Sequence, residues 1–251
     1  GQSFYQLSPA ANALMKKAIY ELVDWQREDG TLYSPVPSGT WKNELPAQML
    51  SSVSTYGFWY YYMHTGDLKT IEHAYPAVKR YLDVWKLDED GLTEFRSGGW
   101  SWGDWGYHID IRMILASWHY LALESAIKMA GVTGNEADIP GYERIRESIY
   151  TAFNKHWNGY AYRYPSYLGA TDDRIHAMAI LSGLADSSKY ETIFNLMKKQ
   201  KNASPYMEKY VLESLFKTGH GDFALERFKK RFGPMIEDQL HSTLYEGWEE
   251  G

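Results

Sequence analysis

The sequence predicts an all-α fold in which helical hairpins follow one another and close into a toroid. Three observations predict it. Apolar residues recur at helical spacing through most of the 251 residues, the helical segments pair across short turns, and those turns alternate with long connections rich in Gly, Trp, Tyr and acidic residues. Tight turns at one end and decorated loops at the other suit a closed ring of hairpins with a cleft on one face.

The first helix opens at Ser8-Pro9, an N-cap followed by proline at the first helical position, and Ala11, Leu14, Met15, Ala18, Ile19, Leu22 and Trp25 continue it. Asp29-Gly30 ends it. A second helical stretch runs from about Pro46 to His64 and breaks at Thr65-Gly66-Asp67, where Asp67 is placed to cap the next helix. Ile71, Tyr75, Val78, Leu82 and Trp85 give that third helix one apolar face, with Pro76 as a site for a kink. Later hairpins pair segments near 109–130 with 141–156, 172–183 with 187–200, and 204–218 with 222–232. The last helix is expected to stop at Phe232-Gly233-Pro234. Short strands are expected only near Thr93 to Phe95 and Tyr160 to Tyr164. The count of about nine helices falls short of the twelve of a six-hairpin ring, so an incomplete toroid is expected. No Pro/Gly/Ser-rich linker interrupts it, and residues 1–251 read as part of one domain.

Composition narrows the function. A formal net charge of −6 with scattered basic residues lacks the footprint of a nucleic-acid or anionic-membrane binder. No apolar run near 18 residues marks a membrane span, and no leader-like segment opens the sequence. The absence of cysteine leaves no disulfide or thiolate metal site and leaves the compartment open, with a periplasmic or secreted location expected for the whole protein. Aromatic residues make up 16%, with 21 Tyr, 10 Trp and 9 Phe. Such rings either fill gaps between helices or stack on the C–H faces of sugars, so only those clustered in loops speak for a carbohydrate.

Three loops carry such clusters. Gly98-Gly99-Trp100-Ser101-Trp102-Gly103-Asp104-Trp105 precedes Tyr107, His108 and Asp110; it offers Trp102 and Trp105 as stacking walls and Asp104 as a hydroxyl acceptor. Asp110 either joins them or caps the helix that follows. Between the first two helices, Trp41 is a second stacking surface, and Glu44 is either a site carboxylate or a favourable charge at a helix N-terminus. At the end of the chain Glu246 lies between Tyr245 and Trp248, where a half-buried carboxyl would have a raised pKa; by composition alone it equally reads as a solvated charge. Because the long connections fall at equivalent hairpin ends, Trp41, Trp102, Asp104, Trp105 and Glu246 are expected to line one cleft. No phosphate loop, serine elbow or His-Glu-x-x-His occurs, and the eight histidines are dispersed, so neither a metal nor another cofactor is implied. His176, on a helix face, reads as a satisfied core residue.

Taken in order, these motifs resemble the catalytic domain of α-L-rhamnosidases, glycoside hydrolase family 78. The resemblance rests on Pro37-Ser38-Gly39 with Trp41 and Glu44, Tyr61-Tyr62-Met63-His64-Thr65-Gly66-Asp67 followed by Tyr75-Pro76, Gly103-Asp104-Trp105, Ser204-Pro205-Tyr206, and Ser242-Thr243-Leu244-Tyr245-Glu246 with Trp248. It implies an (α/α)6 toroid, inverting hydrolysis of terminal α-L-rhamnosides, and Glu246 as the general base. Tyr245 stands where the family usually has tryptophan. Tyr245 and Trp248 join Trp41, Glu44, Trp102, Asp104 and Trp105 as implied substrate-binding residues. The family's general acid belongs to an Asp- and Arg-rich segment expected upstream of the first helix. The 251 residues are therefore expected to be part of a longer enzyme, inactive alone and prone to self-association through an uncovered flank. Another toroid glycosidase, or a helical carbohydrate-binding domain without catalysis, is the competing reading.

Overall fold

The computed structural model describes residues 10–34, 44–240 and 243–248. Among them are ten α-helices, two 3₁₀ turns and, instead of strands, two isolated antiparallel bridges, Leu87 with Thr93 and Trp157 with Tyr162. The bridges fall where the two short strands were expected. No helix among the described residues is long and apolar enough to cross a membrane.

The chain folds as two compact units, one of residues Gly1–Trp102 with Trp118–Ala152 and the other of Gly103–Ser117 with Phe153–Gly251. The first holds α1 (Ala11–Asp24), α2 (Pro46–Val53), α3 (Phe58–Thr65), α4 (Leu68–Val84), and the larger parts of α5 (Ile111–Val132) and α6 (Ile139–Lys155). The Ser8-Pro9 start of the first helix lies outside the described residues. Asp67 caps α4 as expected: its carboxylate accepts hydrogen bonds from the Thr70 amide at 3.2 Å, the Thr70 hydroxyl at 2.7 Å, the Tyr61 hydroxyl at 2.9 Å and Lys16 at 2.9 Å. These donors, Lys16 first, hold its pKa well below the usual carboxylate range. Helix α4 buries Ile71, Ala74, Val78, Tyr81 and Leu82 and packs against α1 and α3.

Three helix boundaries differ from the sequence reading. The first helix ends at Asp24, with Trp25 at its C-cap, short of the Asp29-Gly30 end expected of it. The stretch from Pro46 to His64 is two helices, because Ser54 turns extended and gives its hydroxyl back to the Ser51 carbonyl at 2.7 Å. Gly57 then passes so close to the preceding turn that a Cβ there would lie 1.7 Å from the Ser52 carbonyl oxygen. The last helix, in turn, does not stop at Gly233-Pro234 but runs on to Glu237. A single proline removes one donor without ending the ladder when the residues on either side still close their bonds.

The second unit holds the start of α5, the end of α6, and α7 (Asp173–Ser182), α8 (Tyr190–Met197), α9 (Pro205–Lys217) and α10 (Gly221–Glu237). Helix α9 packs on both α7 and α10, and α8 packs on α7. Nearly every residue of α7 is buried, Asp173, Arg174 and His176 included. Charged groups in such a place need partners, since an unpaired buried charge is strongly unfavourable. Those partners shape the site.

Candidate functional site

Within the second unit the tryptophan loop is organised around Arg174. Its side chain is fully buried and spends its donors on three acceptors: Nη1 on Asp104 Oδ2 at 2.7 Å, Nε on Asp172 Oδ1 at 2.7 Å, and Nη2 on the Tyr107 carbonyl. Asp104 also accepts from the Ser204 amide at 2.8 Å, the Gly106 amide at 3.2 Å and the Ser204 hydroxyl. Ser204 occupies the N-cap position of α9 but gives its hydroxyl to Asp104 rather than to its own helix. Gly106 is required here, since a Cβ would stand 1.9 Å from the Asn202 carbonyl oxygen and 2.6 Å from Arg174 Nη1. His108, with φ of 56°, is held in the left-handed region immediately after the anchored Tyr107 carbonyl.

The consequence for the loop is a division of labour. Asp104 faces inward, with both carboxylate oxygens engaged by protein donors. Trp105 and Tyr107 face outward, 45% and 75% exposed. Asp110 does cap the following helix, accepting from Met113 at 3.4 Å, and its other oxygen accepts from the Tyr164 amide at 2.7 Å; burial pushes its pKa up. His176 is the satisfied core residue anticipated. Its Nε2 accepts from the Tyr162 amide at 2.9 Å, so the proton belongs on Nδ1, which donates to the Asp172 carbonyl at 2.7 Å, and burial lowers its pKa to about 4.

Asp172 ties these parts together. It accepts the Arg174 Nε, the Arg174 amide at 3.0 Å and the Asp110 amide at 3.2 Å. Burial pushes its carboxyl up to about 7 against the pull of Arg174. A carboxyl raised above its ordinary 3.8 holds its proton more tightly folded than unfolded, so stability is lost as pH rises through that interval and levels off above about 7. Asp172→Asn is expected to flatten this slope. Denaturant unfolding of both proteins between about pH 3.5 and 8, which brackets the window of roughly 4 to 7, checks it; an unchanged slope in the variant would assign it to another group.

The Glu246 segment reaches the same helix end. Trp248 Nε1 donates to the Ala203 carbonyl at 2.6 Å, next to the Ser204 that Asp104 holds. The Tyr245 hydroxyl donates to Asp238, just past the C-terminus of α10. With both aromatic neighbours occupied elsewhere, Glu246 is exposed rather than half-buried between them, a correction to the burial expected of it. No hydrogen bond or ion pair to its carboxylate occurs among the described residues.

Glu44 and Trp102 belong to the first unit. Glu44 is buried and forms a two-pronged ion pair with Arg96, both N–O distances 2.9 Å, rather than standing as a free charge at the start of α2. Its carbonyl accepts from the Gly99 amide at 2.8 Å, so it anchors the start of the tryptophan loop. Trp102 is partly exposed. Trp41 lies outside the described residues. Sequence reasoning missed Arg174, Asp172, Glu208, Arg227 and Arg231. The available signal was charge within helices otherwise patterned for burial, at 172–174 and at 208 and 227.

Residues 5–250 match the family model described as the bacterial alpha-L-rhamnosidase 6 hairpin glycosidase domain. Among curated proteins no relative matches. Among solved structures, the chain is similar to an alpha-L-rhamnosidase from Dictyoglumus thermophilum, with a TM-score of 0.80 and 23% identity over 96% of this chain and 29% of that one. A rhamnosidase from Klebsiella oxytoca with rhamnose bound gives 0.77 and 16%, over 96% and 51%. The Streptomyces avermitilis alpha-L-rhamnosidase complexed with L-rhamnose gives 0.74 and 20%, over 96% and 24%. At these identities the likeness establishes the fold, an incomplete α/α toroid, and the chain spans between 24% and 51% of the length of these three structures.

Proposed function

Because this chain belongs to the bacterial α-L-rhamnosidase six-hairpin glycosidase family, we propose that the whole protein hydrolyses terminal α-L-rhamnosides with inversion. Glu246 acts as the general base on the attacking water. The exposed faces of Trp105 and Tyr107 form the stacking surface for the sugar, and Asp104 fixes that surface in place instead of meeting the sugar itself. One observation carries the reading. The tryptophan loop, through Asp104, and the Glu246 segment, through Trp248, are both fastened to the Ala203-Ser204 step at the start of α9. Residues some 140 positions apart in sequence thus present an aromatic wall and an unencumbered carboxylate from one helix end. The rhamnose bound in two of the similar structures supports the choice of sugar.

An inverting site needs a second carboxyl roughly 6.5 to 9.5 Å from the base. Asp104 and Glu44 are both buried and consumed by arginines, Arg174 and Arg96, so the acid is assigned outside residues 1–251, and these residues alone are expected not to hydrolyse rhamnosides at a useful rate. The test is an aryl α-L-rhamnoside assay of the whole protein beside residues 1–251, with the first-formed anomer read by NMR. β-L-Rhamnose from the whole protein alone supports the proposal; equal rates from the two would place the acid within this chain. Trp105→Ala is expected to raise KM by about fivefold, the equivalent of roughly 1 kcal/mol of lost stacking, with kcat little changed. A KM that does not move would remove Trp105 from the sugar site. The exposure of Glu246 is the observation favouring a sugar-binding domain without catalysis. That domain would bind rhamnosides and release no rhamnose.

A further inference from the structure

We propose that Arg231 is a positioning residue for the Glu246 carboxylate, acting through Trp248; the inference rests on Glu246 being the base. Arg231 stands on α10 with its guanidinium 4.0 Å from the centre of the Trp248 ring. Its Nη1 donates to Glu208 at 2.7 Å, and its Nη2 donates to the carbonyls of Ala203 at 3.0 Å and Lys201 at 3.3 Å. The Ala203 carbonyl therefore receives two donors, Arg231 Nη2 and Trp248 Nε1. Phe232 closes the remaining side, its ring 5.1 Å from that of Trp248 at 67°. The indole is thus held at its edge, its face and its nitrogen by groups that are themselves fixed: Glu208 is fully buried and also bound through both oxygens by Arg227.

Glu246 has no comparable hold of its own. It is exposed, and its position is set by the two flanking anchors, Tyr245 on Asp238 and Trp248 on Arg231 and Ala203. Two residues of backbone span at most about 7 Å, so where Trp248 is fixed bounds where the Glu246 carboxylate can stand. Lysine cannot take the place of Arg231. It can meet Glu208 as a point charge, but it lacks the planar fork that reaches two carbonyls while lying flat on the indole. The same Ala203-Ser204 step carries the tryptophan loop through Asp104, so the arginine also sets the base relative to the sugar-stacking surface.

The test compares Arg231→Lys and Trp248→Phe in the whole protein, each alone and combined with Glu246→Gln, using an activated aryl α-L-rhamnoside and recording kcat, KM and Tm. Phenylalanine keeps a ring between Arg231 and Phe232 but loses the indole N–H. Arg231→Lys is expected to lower kcat by about 10- to 100-fold with KM within about threefold, the signature of a misplaced catalytic group rather than lost binding. Trp248→Phe should fall in the same direction by less. In the Glu246→Gln background neither change should lower the residual rate by more than about twofold, since residues acting through one group are not additive. A folded Arg231→Lys with unchanged kcat overturns the proposal, and so does an equal loss in the Glu246→Gln background, which would mark a general structural effect. If Arg231→Lys does not fold, Trp248→Phe decides by the same two criteria. Near-normal turnover by Glu246→Gln alone would instead sink the base assignment, which separates the two failures.

Discussion

Glu246→Gln in the whole protein is expected to lower kcat on an aryl α-L-rhamnoside by about 10²- to 10⁴-fold, the usual worth of a positioned base, while KM stays close to that of the parent. Glutamine keeps the shape of the side chain and its capacity to accept a hydrogen bond. What it loses is the ability to take a proton from the attacking water. The structure makes the measurement clean, because Glu246 is exposed and no described residue bonds to its carboxylate. Surface substitutions of that kind shift stability by no more than about 0.5 kcal/mol, so a large fall in turnover cannot be ascribed to unfolding. The comparison with Trp105→Ala sharpens it further: loss of the base should appear in kcat, loss of the stacking face in KM. Turnover within a few-fold of the parent would reject Glu246 as the base and return the exposed carboxylate to the solvated charge that its composition suggests.

Local structure was legible in the sequence wherever one residue decides it. Asp67 caps α4 because a short carboxylate stands one residue before a helix start, and the Thr-Gly-Asp run announces that turn without help from the rest of the chain. Gly57 shows the limit. A helix-breaking glycine inside an aromatic run is visible, but the need for it comes from the close passage of the Ser52 carbonyl, which no spacing rule contains. The site divides in the same way. Trp105 and Tyr107 stood out as loop aromatics and are exposed, whereas Asp104, between two tryptophans in a glycine-rich loop, looked like a free acceptor and is buried. What turns it inward is Arg174, seventy residues later. Glu246 failed in the opposite sense: its aromatic neighbours suggested shelter, but Tyr245 and Trp248 point their polar atoms at Asp238 and Ala203 and leave the carboxylate outside. Pairings of this kind are decided by tertiary packing, and only the presence of charge on helices patterned for burial signals that some partner must exist.

The largest stability effect is expected at Arg227, where replacement by methionine should cost about 3 to 5 kcal/mol, the penalty of stranding buried partners. Its side chain is 2% exposed, and five hydrogen bonds consume it: two to Glu208 at 2.6 and 2.9 Å, one to Asp173 at 2.9 Å, and two to the carbonyls of Met197 and Gln200 at 2.8 and 2.9 Å. Methionine fills much of the volume but leaves Asp173 and Glu208 facing one another with less positive charge between them. Burial already pushes the Glu208 carboxyl up, and Arg227 is the first of the groups that pull it back. Without the arginine the carboxyl should rise further and take up a proton at higher pH than in the parent. Protonation removes the stranded charge, so the deficit of the variant relative to the parent should shrink as pH falls, the direction expected when the folded variant binds more protons than its unfolded chain. Urea unfolding of both proteins at two pH values, near neutrality and about two units below, measures it. Adding Glu208→Gln to Arg227→Met should recover part of the loss at neutral pH, because two neutral partners are tolerated where one charge is not. A deficit under about 1 kcal/mol, or one that ignores pH, would show that Arg231 and Asn202, the remaining donors to Glu208 and Asp173, suffice to hold both carboxylates in place.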